Sequence, residues 1–301
     1  MNRPESSMDR IATLVSCSSA CPRSIGAVLI DAGRLSIFEA EQILRRQKEQ
    51  GNRFGDAGIE LGLLDAEDIR FALASQFEYP YLPAGDTRLS GELVAAYAPS
   101  SPVVEQMRAL RSQLMLRWLD VESRRKALAI VSPKHGEGRS FIAANLAIVF
   151  SQLGERTLLI DADLRTPRQH QLFKLGERTG LSGLLSGRAS FDAVTRIPAL
   201  LGLSVLPAGV VPPNPQELLG RPAFNEVLKT LSRDYDVIII DTPAASDCAD
   251  ALTVAALAGS ALPIARNDHS SMSELAELAS SLQQSGTLLV GSVLNDTRGN
   301  E

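Results

Sequence analysis

Cysteine is scarce in this 301-residue chain: Cys17, Cys21 and Cys248 are the only three. That is too few for a disulfide framework and suits a reducing compartment. Cys17 and Cys21 could form half of a metal site, but none of the three histidines is near them in sequence, so a disordered tail is the expected reading. No apolar run approaches the ~18 residues of a membrane-spanning helix, so any work at a membrane calls for a partner that recruits the chain. Positive charge is not in excess: 30 Lys and Arg against 35 Asp and Glu give a net charge of −5. That balance argues against a nucleic-acid-binding surface as the main business. The segment "LVSC" (14–17) has the outline of a lipoprotein cleavage site, but the apolar stretch before it is shorter than the roughly 7–15 residues of a signal core. The chain is expected in the cytoplasm.

What is present is ordinary globular material, 45% hydrophobic and 22% charged, enough for a full α/β core. The length suggests about two domains. Residues 1–22 are polar and Ser-rich and read as a disordered tail. An internal repeat follows, 24–47 against 53–76, at an offset of 29 residues. Gly26 matches Gly55, Gly33 matches Gly62, Leu35 matches Leu64, and Gln47 matches Gln76. Each copy predicts a short helix, a glycine in the left-handed C-cap, then a longer helix. Ile43, Leu44, Ile69 and Leu73 form the expected apolar faces, and the two copies should pair into one small helical domain (23–82). Residues 83–102, with three prolines, two glycines and small polar residues, read as a linker.

From about 103 the rhythm changes. A helix (103–118) leads into strand candidates at 127–132, 156–162, 203–207, 236–241, 260–265 and 288–294, mostly separated by helical segments. That alternation predicts an α/β domain (103–301), a mostly parallel sheet covered on both sides. Pro263 cannot donate to a ladder, so its strand is expected to be short, bulged or near an edge.

Function concentrates at the ends of these strands. "SPKHGEGRS" (132–140) lies between a strand and a helix, where backbone N–H groups and the helix dipole trap anions. Gly136 and Gly138 allow close approach, and Ser140 is placed for Mg²⁺. Pro133 and Arg139 stand where the usual phosphate loop has glycine and lysine. Two further strands end in acidic residues: Asp161 and Asp163 in "LLIDADLRTP", and Asp241 in "VIIIDTP". Carboxylates at such strand ends hold Mg²⁺ or its waters, or act as a base. Helix capping would account for one of them, but not for three beside a Gly-rich loop.

Residues 103–295 thus resemble the bacterial tyrosine autokinases of exopolysaccharide synthesis and export, the Wzc, CapB and EpsG types, and more distantly the MinD/ParA ATPases. "GLSGLLSGR" (180–188) and "PPNPQELL" (212–219) share in the likeness, as does Arg165. The resemblance implies a P-loop NTPase fold and ATP with Mg²⁺. It makes Lys134, His135, Gly136, Glu137, Gly138, Arg139, Ser140 and Phe141 the nucleotide-contacting loop, with Asn295 at the base. Ser140, Asp161 and Asp241 would serve the metal; Arg139, Asp161, Asp163 and Asp241 would be catalytic, with Asp163 or Asp161 the base. Lys134 takes the place of a MinD-type signature lysine, so a positioning ATPase is an alternative. Glu105, Arg108 and Arg111 fit the E-x-x-R-x-x-R motif that implies a homo-oligomeric ring. The implied partner is a membrane-bound polysaccharide chain-length determinant protein, with the kinase peripheral at the inner membrane.

Two departures bear on chemistry. Guanidinium is planar and bulkier than the lysine ammonium, so nucleotide binding is expected to survive Arg139 better than fast phosphoryl transfer; a nucleotide-gated binding protein is the rival reading. The autokinases carry a C-terminal tyrosine cluster, whereas the tyrosines here are Tyr79, Tyr81, Tyr97 and Tyr235. Phosphorylation is therefore expected on Tyr97, Tyr79 or Tyr81, or on another protein. The front repeat resembles the N-terminal domain of the GspE and MshE ATPases, which in the MshE branch binds cyclic di-GMP. Arg53, Gly55, Gly62, Leu64 and Gln76 fit that pattern, while Ser24 replaces an arginine. Cyclic di-GMP binding and protein docking are both open.

Overall fold

A computed structural model describes residues 24–76, 81–83, 85–119, 125–176 and 179–296. The expected tail, Cys17, Cys21 and Tyr79 lie outside the described residues. The chain divides into two compact units, residues 1–79 and 80–301.

The first unit is the repeat, folded twice: α1 (Ile25–Asp31) and α2 (Ile37–Gln50), then α3 (Phe54–Glu60) and α4 (Ala66–Gln76). Gly33 and Gly62 adopt φ of 68° and 67°, the left-handed stop that a side chain would strain. The same bond closes each stop, Arg34 N to Leu29 O and Leu63 N to Gly58 O, both 2.9–3.0 Å. The cap of the second helix also repeats. Ser36 and Glu39 exchange backbone–side-chain bonds in a capping box, and so do Asp65 and Asp68, 29 residues on. Leu29, Ile43, Ala57, Leu64 and Ala72 form the core, with Ile69 packed against it. Leu44 and Leu73, expected inward, are exposed. Ile43 and Ala72, one position earlier, take the buried stripe, and a 100° step carries their successors off it.

In the second unit a short helix α5 (Val94–Tyr97) and α6 (Pro102–Arg117) precede β1 (Ala127–Val131), α7 (Arg139–Ser151) and β2 (Thr157–Asp161). There follow α8 (Gln169–Leu172), α9 (Leu181–Leu185), β3 (Thr195–Arg196), β4 (Leu203–Leu206), α10 (Pro215–Leu219), α11 (Pro222–Asp234) and β5 (Val237–Asp241). The unit ends with α12 (Asp250–Ala258), β6 (Ser260–Arg266), α13 (Met272–Gln284), β7 (Leu288–Leu289) and β8 (Val293–Asn295). The sheet runs β3-β4-β2-β5-β1-β6-β7, with β8 also on β6. All pairings are parallel except β3 with β4. Successive strand residues feed opposite faces: Leu128, Ile130, Leu159 and Ile239 meet α7 residues, while Ala129, Val131, Ile160 and Ile240 meet α11, α12 and α13 residues.

Pro263 lies within a seven-residue interior strand rather than a short edge. Gly259 and Ala261 accept from Leu288 and Val290, and Asn267 donates to Asn295, so odd-numbered residues face β7 and β8. On that side the ladder breaks between Ala261↔Leu289 and Ile264↔Val293, a bulge of one extra residue. The missing proline donor falls there.

The segment expected as a linker belongs to the second unit. Leu82, Leu89, Leu93, Ala95 and Ala96 are buried in its core. Asn145 of α7, itself fully buried, accepts from Ala95 N (2.9 Å) and donates to the carbonyls of Glu92 (3.1 Å) and Phe141 (2.9 Å). Gln152 donates to Ala95 O at 2.9 Å. Small residues let this strap lie against the helix, and side chains of α7 satisfy its backbone, which a polar, Pro-rich composition does not announce. Replacing Asn145 by Ala leaves the buried Ala95 N–H without its acceptor. The Asn145→Ala variant is expected to lose about 2–3 kcal/mol of stability, read as a lower urea midpoint with an unchanged m-value.

Candidate functional site

β1 delivers the chain into the Gly-rich turn at the carboxyl end of the sheet. Gly136 (φ 76°) and Gly138 (φ 94°) take left-handed backbone, and Gly138 caps α7. The loop is held from behind. The fully buried Glu137 carboxylate accepts from Lys134 N (2.6 Å) and from the Ser270 hydroxyl. Asn295 donates its amide to Glu137 O (3.0 Å), and a Cβ at Gly138 would collide with that amide. Arg266 donates to Gly136 O at 3.1 Å. Asn295 therefore reaches the site, but its amide clasps the loop.

Arg139, at the lysine position, is 6% exposed. Its Nε donates to Thr242 O (2.9 Å), and Nη1 to Lys134 O (2.6 Å) and the Ser132 hydroxyl. The guanidinium thus ties the loop to the end of β5. Of its five N–H donors, these bonds use those on Nε and Nη1.

The acidic strand ends converge. Asp161 and Asp241 are register partners on adjacent parallel strands, and neither is exposed. Asp161 accepts from the backbone N–H groups of Asp163 (3.2 Å), Arg168 (3.1 Å) and Gln169 (2.9 Å). Asp241 Oδ2 accepts from Gln169 Nε2 at 2.8 Å, while Oδ1 is buried with no partner. Asp163 is committed to its own turn, accepting from Arg165 N (3.1 Å), Thr166 N (2.8 Å) and the Thr166 hydroxyl (3.0 Å). Burial holds the Asp161 carboxyl well above the usual carboxylate range, and the charge of Asp241 raises it further. Burial pushes Asp241 up to about 6, against the Gln169 hydrogen bond, the Ser140 hydroxyl nearby and the charge of Arg139. Two close buried carboxylates with an orphaned oxygen fit a hard divalent cation. Mg²⁺ takes one or two carboxylates, a hydroxyl such as that of Ser140, and phosphate oxygens, and keeps several waters. Among the described residues no group of three or more His, Cys, Asp or Glu is placed to hold a metal.

Other expected site residues point elsewhere. Lys134 pairs with Glu274 at 2.7 Å and His135 with Asp247 at 2.5 Å, and Phe141 packs against the core. Glu105 and Arg108 pair with each other at 2.8 Å, while Arg111 donates to Val149 O at 2.7 Å. Sequence reasoning missed Gln169, Ser132, Thr242, the inward role of Glu137, and Asp250, which is buried and paired with Arg165 at 2.8 Å. A polar residue two places after an acidic motif is a signal for Gln169, but only its burial separates it from a surface helix residue.

With raised carboxyl pKa values, the folded chain keeps protons that the unfolded chain releases above about pH 4. Cation-free stability therefore falls as pH rises from there through about 6. Asp241→Asn removes one of the two opposed charges. Its cation-free Tm is expected above the parent's at pH 7, with a flatter decline between pH 5 and 7; parallel parent and variant curves would refute the charge clash.

Residues 128–301 match the model of the CobQ/CobB/MinD/ParA nucleotide binding domain, CbiA. The putative tyrosine-protein kinase EpsB of Ralstonia solanacearum is 34% identical over 245 residues, 78% of this chain but 32% of its own length. The chain therefore spans about a third of that relative. The putative tyrosine-protein kinase CapB of Staphylococcus aureus is 34% identical over 197 residues, 65% of this chain and 86% of CapB. Among solved structures, the kinase domain of the Escherichia coli tyrosine kinase ETK superposes with a TM-score of 0.66 at 29% identity, over 74% of this chain and 92% of that one. Sequence and fold agree, and the chain belongs to the CobQ/CobB/MinD/ParA nucleotide-binding family, on the branch of the bacterial tyrosine-protein kinases.

Proposed function

We propose that this chain is an ATP- and Mg²⁺-dependent protein-tyrosine kinase that regulates exopolysaccharide polymerisation and export, docked on a separate membrane chain-length protein. The observation that carries the reading is the buried Asp161–Asp241 pair beside the braced phosphate loop. Loop amides and the Arg139 guanidinium bind and orient the phosphates, while Ser140 and Asp241 hold the cation. The cation, when bound, neutralises charge on the phosphate oxygens during transfer. Asp161 or Asp163 accepts the tyrosine proton. Among the described residues no helix is long and apolar enough to cross a membrane, which is consistent with a separate anchor. The Tyr97 hydroxyl is bonded to both Leu89 N and Leu89 O, so a tyrosine on a partner is the better acceptor. Oligomerisation through Glu105, Arg108 and Arg111 requires exchanging their intrachain bonds for bonds between copies.

A second reading, a nucleotide-gated binding protein with little turnover, is favoured by the inward bonds of Arg139. Incubation with labelled ATP and Mg²⁺, alone and with a membrane partner, separates the two. The kinase reading expects label on tyrosine and ADP release, and the absence of both removes it. Arg139→Lys is expected to raise turnover about tenfold or more if the guanidinium holds catalysis back; unchanged turnover clears Arg139 of that role.

For the N-terminal unit we infer a ligand-binding or docking module of the GspE/MshE kind. Ser24 and Arg53 stand at equivalent N-caps: the Ser24 hydroxyl caps α1, whereas Arg53 makes no side-chain cap bond. An uncommitted arginine can stack on guanine and pair with phosphate. Calorimetric titration with cyclic di-GMP is expected to show binding lost in Arg53→Ala; no heat from the parent leaves protein docking as the role.

A further inference from the structure

Gln169 stands out among the groups that the sequence reading left unassigned. It is fully buried, and it is the one described side chain bonded to both the Asp241 carboxylate and the phosphate-loop helix. Its Nε2 donates to Asp241 Oδ2 at 2.8 Å and to Ser140 O at 3.1 Å. Its backbone N–H donates to Asp161 Oδ2 at 2.9 Å. One residue thus joins β2, β5 and the first turn of α7. Its Oε1 is buried without a donor, as is Asp241 Oδ1. Unpaired buried acceptors are costly and rare, and two of them in neighbouring side chains mark a place that expects a partner. A core filler would need neither the amide nor its fixed orientation; an apolar residue of the same length would fill the space but leave the buried Asp241 carboxylate without its donor.

We propose that Gln169 is the positioning residue of the cation site: its amide fixes Asp241 beside Ser140 and leaves Asp241 Oδ1 open to the cation. The inference rests on the nucleotide–cation reading given above and assigns Gln169 a role in it. Gln169 touches no reacting atom, and its effect runs through Asp241. The carboxamide suits this place because it donates to a carboxylate without adding charge, whereas a glutamate would set a third carboxylate against the pair.

The test is the strengthening of ADP binding by Mg²⁺, measured calorimetrically on the full chain with and without the metal. In the parent, Mg²⁺ is expected to tighten ADP. Gln169→Met, close in size but without donors, should reduce that tightening tenfold or more while keeping metal-free ADP affinity within about twofold. Asp241→Asn should show a similar loss, and the double variant should be no worse than Asp241→Asn alone, since both act through one carboxylate. Full tightening in Gln169→Met overturns the proposal, and so do losses that multiply in the double variant. A metal-free ADP affinity that falls as far as the metal-bound one marks a structural role and overturns it too. A parent that binds ADP with no response to Mg²⁺ sinks the cation reading itself, which sets that failure apart from the failure of Gln169 alone.

Discussion

Two carboxylates face each other across adjacent strands in a place water does not reach, and much of the second unit is arranged around that fact. Asp161 and Asp241 are register partners because β2 and β5 run parallel and end at the same level. Opposed buried charges destabilise a fold unless protons, hydrogen bonds or a cation offset them. The protein supplies part of that offset: three backbone N–H groups for Asp161, one amide for Asp241, and the guanidinium of Arg139 nearby. The remainder is left to whatever binds.

The phosphate loop obeys the same logic with the sign reversed. Its amides must point at an anion, so its carbonyls must be satisfied from outside the turn. Lys134 O is met by Arg139, Gly136 O by Arg266 and Glu137 O by Asn295. The Glu137 carboxylate ties the loop's start to Ser270, just before α13. Residues expected to touch nucleotide thus divide into those that face it and those that brace the loop, and spacing along a sequence does not distinguish the two.

Much of the architecture was legible in the primary sequence. Buried parallel strands are β-branched runs, and "VIIID" at 237–241 could hardly be anything else. The 29-residue repeat disclosed a doubled helical unit, and its glycines fell on the left-handed stops as expected. Legibility failed where a residue's role is set by a distant partner. Ala95 and Ala96 read as linker, yet they lie buried in the core, where Asn145 accepts from Ala95 N and Gln152 donates to Ala95 O. Leu44 and Leu73 carry apolar side chains at helical spacing and still face solvent, since the neighbouring position completes the stripe. Gln169 lies eight residues beyond Asp161, and only the return of the chain over the end of β5 gives it a task.

The strap has a mechanical consequence. Glu92 on the strap holds the Arg168 guanidinium at 2.7 Å, Ser90 N donates to Leu172 O, and the backbone of Arg168 donates to Asp161. A pull on the strap meets these bonds before it reaches the sheet. The strap is therefore leashed to the end of β2 through a handful of hydrogen bonds, and stiffening or slackening that leash changes the ground on which Asp161 stands.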